Sequence, residues 1–208
     1  MNKRYKYPRT CHLPFSQGAT DDDKILTSTE HFYGKEVVVT EKMDGENTTI
    51  YNDHCHARST DSKHKGYHSW LLSTIPMFQH QIPDGWRICG EYLYAKHSIG
   101  YDNLPSYFMV FSIWTEENEC LSWDDMTDVC RDMGLEVVPF IYRGIYDDAT
   151  IKKLAEETVK RGGEGIVVRL ADGFKYDDFP VSIAKYVRKN HVQTDSSWGA
   201  VIEKNGLK

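Results

Sequence analysis

Short runs of β-branched and aromatic residues recur along this chain, and few helical stretches separate them. Val37-Val38-Val39-Thr40, Thr48-Thr49-Ile50-Tyr51, Trp86 to Tyr94, Tyr107 to Trp114, Val137 to Tyr142, Glu164 to Leu170 and Ile183 to Val187 each read as a strand. Two segments carry helix signals. Ser122 caps one that ends at Gly134 and buries Met126, Val129, Cys130 and Met133; the other follows Asp147-Asp148, buries Ile151, Leu154, Ala155 and Val159, and stops at Gly162-Gly163. Between Lys65 and His80, Tyr67, Trp70, Leu71, Ile75 and Phe78 recur at helical spacing, and Pro76 kinks or ends that helix. Many strands without a regular strand–helix–strand rhythm predict an α+β fold of antiparallel sheets with flanking helices. No repeat or low-complexity linker divides the chain, so the expectation is one domain over residues 1–208. A polar, turn-rich arm, 1–30, opens it, with Tyr5, Tyr7, Leu13 and Phe15 to fasten it to the body.

Composition narrows the class. The chain has 208 residues, 27% of them charged, and a net charge of −6, so a nucleic-acid partner needs a local basic patch rather than a general field. Lys185, Arg188, Lys189, Lys204 and Lys208 supply one near the C-terminal end, where Tyr186 and Trp198 are readable either as stacking platforms or as core. No apolar run is long enough for a membrane span or a signal peptide. The five cysteines are odd in number and lack a Cys-x-x-Cys pair, which predicts reduced thiols and a cytoplasmic location.

Chemistry concentrates around Lys42. It lies in Glu41-Lys42-Met43-Asp44-Gly45-Glu46-Asn47, between two strand-like runs, where Asp44 and Gly45 predict a tight turn. Alone, a lysine at a turn reads as a solvated charge. Four further polar segments sit in or beside apolar runs: Arg58-Ser59, Gly90-Glu91-Tyr92, Glu164-Gly165, and Lys185 with Arg188 and Lys189. Burying such groups is costly unless partners or a ligand satisfy them. Together they would suit nucleotidyl transfer through a covalent lysine: a neutral amine to attack an α-phosphate, carboxylates for a divalent metal or ribose hydroxyls, and cations to offset phosphate charge. Glu91 and Glu164 have a second reading, as partners of the core arginines Arg87 or Arg169. Other polar clusters read as structural. In His54-Cys55-His56 the cysteine of a strand faces away from both histidines, and Asp21-Asp22-Asp23 reads as a solvated loop.

In this order, Lys-x-Asp-Gly, Arg-Ser, Gly-Glu-Tyr, Glu-Gly and a lysine-bearing strand resemble the covalent nucleotidyltransferase superfamily of ligases and capping enzymes. Lys-Tyr-Pro-Arg-Thr near the start, Glu-Lys-Met-Asp-Gly-Glu-Asn, His-Ala-Arg-Ser, Phe-Ser-Ile-Trp and Asn-His-Val-Gln-Thr-Asp resemble ATP-dependent RNA ligases of the phage RNA ligase 2 kind and their small bacterial relatives. The resemblance implies an ATP-grasp-like ligase adenylation domain that uses ATP and Mg2+ or Mn2+ to seal RNA 5′-phosphate and 3′-hydroxyl ends. It implies that Lys42 is the nucleophile and that Lys185 contacts the α-phosphate. Glu41 would recognise adenine, Arg58 would contact phosphates, Glu91 would hold the ribose, Phe111 would stack on adenine and Glu164 would support the metal. Asp44, Gly45 and Asn47 would shape the nucleotide pocket. Phe111 is also readable as core. Where relatives often have Lys-x-Lys, this chain reads Lys185-Tyr186-Val187-Arg188-Lys189, leaving the second base open between Arg188 and Lys189. Too few residues follow Lys185 for the OB-fold or helical module usual in the superfamily. The expectation is therefore a chain without that second domain, with a protein partner as one way to supply it.

Overall fold

The computed structural model of the chain describes residues 3–63, 65–189 and 203–208. Its strands, in chain order, are β1 (Cys11–His12), β2 (Glu36–Glu41), β3 (Glu46–Ile50), β4 (Cys55–Ala57), β5 (Arg87–Tyr92), β6 (Phe108–Trp114), β7 (Glu119–Cys120), β8 (Glu136–Val137), β9 (Phe140–Ile145), β10 (Gly165–Leu170), β11 (Phe174–Lys175) and β12 (Ile183–Val187). The helices are α1 (Ser69–Thr74), α2 (Trp123–Met133), α3 (Asp148–Lys160) and α4 (Phe179–Ser182). One sheet has the order β1-β12-β10-β2-β9; the other has β11-β7-β6-β5-β3-β4, with β8 beside β6. All pairings are antiparallel except β1 with β12 and β6 with β8. This is the α+β architecture that the strand-rich pattern predicts.

The unbroken valine run of β2 has a direct cause. Val37 and Val39 face a core shared with Ile151 and Ala155 of α3, whereas Val38 faces the core of the second sheet with Ile50, Ile88 and Val110. All three valines are fully buried. Full burial of each such side chain contributes roughly 1.5–3 kcal/mol. A strand covered on both faces has no polar face, so it reads as a run rather than an alternation. A third cluster, Cys89, Trp114, Cys120, Phe174, Phe179 and Ile183, completes the apolar packing.

Two expectations change. Residues 42–45 do not form a hairpin: β2 and β3 lie in different sheets, and the segment crosses from one to the other. Likewise 137–142 is not one strand. Val137 ends β8 in the second sheet and Phe140 begins β9 in the first. Pro139, which has no N–H for a ladder, stands at the break, and its carbonyl accepts the Glu41 amide at 2.9 Å. The helices follow their sequence signals. Ser122 accepts the Asp125 amide at 3.1 Å and Asp147 accepts that of Thr150 at 2.8 Å. Pro76 falls in a short 3-10 turn just after α1.

Candidate active site at the junction of the sheets

The crossover from β2 to β3 delivers Lys42 to the junction of the sheets. Its amide bonds the Gly165 carbonyl at 2.9 Å. The β2–β10 register, with Ile166 opposite Glu41, brings Glu164 alongside. Lys42 Nζ then donates to Glu164 Oε2 at 2.6 Å, and the glutamate is fully buried. Gly165 is required by close approach: a Cβ there would stand 1.9 Å from the Tyr186 carbonyl oxygen.

Asp44 and Gly45 fix the crossover. Asp44 Oδ2 accepts from the Ser98 amide (2.8 Å), the Ser98 hydroxyl (2.6 Å) and the Ile99 amide (2.9 Å). The Asp44 amide donates to the Tyr101 hydroxyl at 2.9 Å. Gly45 donates its amide to Glu91 Oε1 at 3.0 Å, and a Cβ on it would meet the Tyr92 carbonyl oxygen at 2.5 Å. Thus Glu91, on β5, reaches the Lys42 segment from the opposite sheet. Asn47 is paired in register with Glu91, and its buried Oδ1 accepts no hydrogen bond among the described residues.

The electrostatics follow from this packing. Burial disfavours the Lys42 ammonium, but the Glu164 and Glu91 charges and the Glu164 hydrogen bond outweigh it and hold its pKa above the ordinary range. Burial pushes the Glu91 carboxyl up to about 8, with Lys42 opposing and Glu164 reinforcing the shift. Burial, and next the Lys42 charge, lowers Lys185. Burial also raises Glu41 at the end of β2, against the charge of Arg161.

Arg58 follows β4 and is half-buried; burial and then the charge of Arg9 lower it. Lys185, on β12, lies within reach of the fields of Lys42, Glu164 and Arg58. Phe111 is half-buried among both sheets' apolar residues and meets Tyr7 edge-on at 5.1 Å. Arg188 donates its amide to the Glu164 carbonyl at 2.9 Å, and Lys189 is exposed. Trp198 and the motif at 190–195 lie outside the described residues.

Several alternatives are resolved. Arg169 spends its guanidinium on the carbonyls of Leu170, Phe111 and Leu121, and Arg87 on Asn118, so neither serves Glu91 or Glu164. Tyr186 is core, 3% exposed and packed against Phe15, not an open stacking platform. Asp23 is not a solvated loop residue: its side chain is 16% exposed and stands 3.8 Å from Lys185 Nζ and 3.5 Å from His12 Nε2. His12, Asp23, Ser98 and Tyr101 are therefore site neighbours that the motifs did not announce. A histidine in a polar arm has no local signature, since only its parallel pairing with Lys185 brings it here. A concavity of about 620 Å³ lined by Lys35, Phe174 and Lys175 contains none of these residues.

The donor set fits a divalent cation completed by substrate. Among the described residues no group of three or more His, Cys, Asp and Glu could hold a metal by itself. Asp44 is committed to three donors, so the carboxylate that would engage a cation is Glu164, with Glu91 nearby, in exchange for part of its bonding to Lys42. One carboxylate plus phosphate oxygens and water is the coordination that Mg2+ commonly accepts.

Residues 35–187 match the model of the RNA ligase family. The chain belongs to that family. The architecture is shared with solved structures whose sequences are distant. An archaeal ATP-dependent RNA ligase is 17% identical with a TM-score of 0.61, the match covering 87% of this chain and 48% of that one. An Aquifex aeolicus protein described as an ATP-dependent DNA ligase is 18% identical with a TM-score of 0.61, over 88% and 50%. A Naegleria gruberi RNA ligase variant with ATP and Mn is 13% identical with a TM-score of 0.61, over 89% and 61%. The chain thus spans about half to three-fifths of the length of these proteins. No curated protein matches it in sequence.

Proposed function

We propose that this member of the RNA ligase family is an ATP-dependent RNA ligase that works through a covalent lysyl–AMP on Lys42. The observation that carries the reading is a lysine at the meeting of two sheets, bonded to a buried glutamate at 2.6 Å, with a second glutamate, a second lysine in its field and an arginine in the field of that lysine, from three other strands or their ends.

Lys42 Nζ, once deprotonated, attacks the α-phosphorus of ATP; the bond to the β-phosphate oxygen breaks and pyrophosphate leaves. The 5′-phosphate of an RNA end then attacks the same phosphorus and Lys42 is released. Last, a 3′-hydroxyl attacks the adenylated 5′ end, forming the phosphodiester and freeing AMP. Mg2+ or Mn2+, when bound, would offset phosphate charge and engage Glu164. Each remaining part falls to the chain. Glu164 Oε2 receives the Lys42 proton's hydrogen bond, so withdrawing the glutamate's charge favours the neutral amine. Lys185 and Arg58 stabilise charge on the phosphates. In this reading Glu91 holds the ribose hydroxyls, Glu41 and Phe111 bind adenine, and Arg188 or Lys189 takes a more distant phosphate. Asp44, Gly45 and Asn47 hold the crossover in shape.

Incubation with ATP labelled at the α-phosphate tests the first step. Wild-type protein acquires an acid-stable label and Lys42→Ala acquires none; an equally labelled variant removes Lys42 from the role. The DNA ligase likeness supports a second reading, ligation of DNA. Adenylated protein offered nicked DNA and broken RNA separates the two, and GTP in place of ATP tests capping chemistry. Label that never forms, with RNA ends still bound, would point to a non-catalytic end-binding module.

Around this core stand three further proposals: one nucleotidyltransferase domain over 1–208, RNA repair as the setting, and a partner protein where sealing needs a second domain. All five cysteines are buried free thiols, which supports a reducing, cytoplasmic compartment. No helix among the described residues is long and apolar enough to cross a membrane.

A further inference from the structure

The N-terminal arm places a histidine beside Lys185. β1 pairs in parallel with β12 so that His12 lies opposite Lys185, and paired residues project from the same face of a sheet. His12 is 1% exposed. Its Nδ1 is bonded to the Ser16 hydroxyl at 2.7 Å, and that hydroxyl oxygen also accepts the Val187 amide at 3.0 Å. Its Nε2, on the far side of the ring, makes no hydrogen bond among the described residues. Instead it points toward Asp23 Oδ1 at 3.5 Å, an oxygen that also stands 3.8 Å from Lys185 Nζ. The other Asp23 oxygen is held by the Thr20 amide (3.1 Å) and hydroxyl (3.0 Å).

One carboxylate oxygen thus lies between two donors and bonds neither closely. The same space is in the field of Lys42, which acts on both His12 and Lys185, and of Arg58, which acts on Lys185 and Asp23. With the Ser16 hydroxyl donating to Nδ1 in the tautomer assigned here, Nε2 carries the ring N–H, and a buried, unbonded donor has a desolvation cost that an anion of suitable reach would remove. A terminal phosphate group carries up to about two negative charges where the Asp23 carboxylate carries one, and it is not tethered to Thr20.

We propose that His12 is a phosphate-binding residue of this site, bonding through Nε2 to a phosphate oxygen held beside Lys185, in the place that Asp23 takes in the structure. This rests on the proposed reaction. The phosphate belongs to ATP or to the RNA 5′ end. Burial, with the Lys185 charge adding to it, lowers the His12 pKa to about 4, so the ring acts as a neutral donor rather than as a second cation. The arm, rather than the residues after Lys185 alone, then completes the basic end of the cleft.

The test compares His12→Ala, His12→Gln, Asp23→Asn and Lys185→Ala, each first checked by thermal melting. Inorganic pyrophosphate binding is measured by calorimetry, ATP dependence by α-labelled self-adenylylation, and transfer by offering preformed lysyl–AMP protein to 5′-phosphorylated RNA. His12→Ala is expected to weaken pyrophosphate binding, and the step that uses this phosphate, by about tenfold or more. His12→Gln, which keeps an N–H near Nε2, recovers part of it, and Asp23→Asn binds pyrophosphate more tightly than wild type. A raised KM for ATP assigns the contact to the nucleotide; slowed transfer with unchanged self-labelling assigns it to the RNA end. A folded His12→Ala protein with wild-type pyrophosphate binding, ATP dependence and transfer would overturn the proposal. So would an Asp23→Asn protein that loses binding as Lys185→Ala does, since Asp23 would then support Lys185 rather than stand in for phosphate. If wild-type protein takes no label, the reaction reading fails, while pyrophosphate binding still decides the role of His12.

Discussion

Lys42 in this structure is a charged amine with a counter-ion, not yet a nucleophile. Its partner Glu164, before the nearby Glu91, holds its pKa up, so the proposed attack requires something that takes the Glu164 charge away. Glu91 makes a separate prediction. Its folded pKa of about 8 lies above the 4.5 of a free carboxyl, so the folded protein keeps a proton that the unfolded chain releases between those values. Its contribution is therefore fully present below about pH 4.5 and lost as pH rises through about 8. Glu91→Gln keeps an acceptor for the Gly45 amide and does not titrate. The melting temperature of the variant should gain on wild type as pH is raised across that window, and a constant difference would contradict the assignment. At Gly45 the constraint is steric: Gly45→Ala puts a methyl 2.5 Å from the Tyr92 carbonyl oxygen. We expect a loss of about 1–3 kcal/mol in chemical denaturation, accompanied by slower self-labelling because Lys42 and Asp44 shift with the backbone.

At the scale of elements, most strands and both longer helices were readable because their signals are local. Ser122, Gly134 and Asp147 act on amides within a few residues, and β2 reads as a run because both faces are covered. What was not readable was which sheet each strand joins. Lys42–Gly45 resembles a hairpin turn and is a crossover; Val137–Tyr142 resembles one strand and is the ends of two, parted at Pro139. Turn residues report local backbone bending, and the same residues serve a reversal within a sheet or a passage between sheets. The caps are testable without touching the site. Asp147→Ala should cost about 1 kcal/mol, measured by denaturation, and leave self-labelling at the wild-type rate. A fall in labelling would show that α3 is coupled to the Lys42 end of β2.

At the scale of the molecule, the far ends of the chain meet the site. The arm sets His12 and Asp23 beside Lys185, and residues 203–208 return to the segment that holds Asp44. Asn205 is 4% exposed. Its Nδ2 donates to the Leu93 carbonyl at 2.8 Å, its Oδ1 accepts the Tyr101 amide at 2.9 Å, and its carbonyl accepts the Tyr107 hydroxyl at 2.7 Å. Tyr101 in turn accepts the Asp44 amide. Asn205→Ala strands buried partners, so we expect about 1–3 kcal/mol of lost stability together with slower lysine labelling. A variant that is destabilised but labels normally would confine Asn205 to a structural part. The residues themselves determined the α+β class and the ends of the two longer helices, and they named a candidate set from Lys42 to Lys185, because caps and ordered motifs are written along the chain; the helix expected between Lys65 and His80 is α-helical only over Ser69–Thr74. Only the tertiary structure decided that Lys42 sits on a crossover, that Glu164 pairs with Lys42 and not with a core arginine, and that His12, Asp23 and Asn205 attend the site. The reason is that each of these depends on a contact between distant residues, where one buried charge or amide finds its partner across the fold and no neighbour in sequence announces it. Lys42 and Glu164 were each singled out along the chain; that they pair with one another was not legible there.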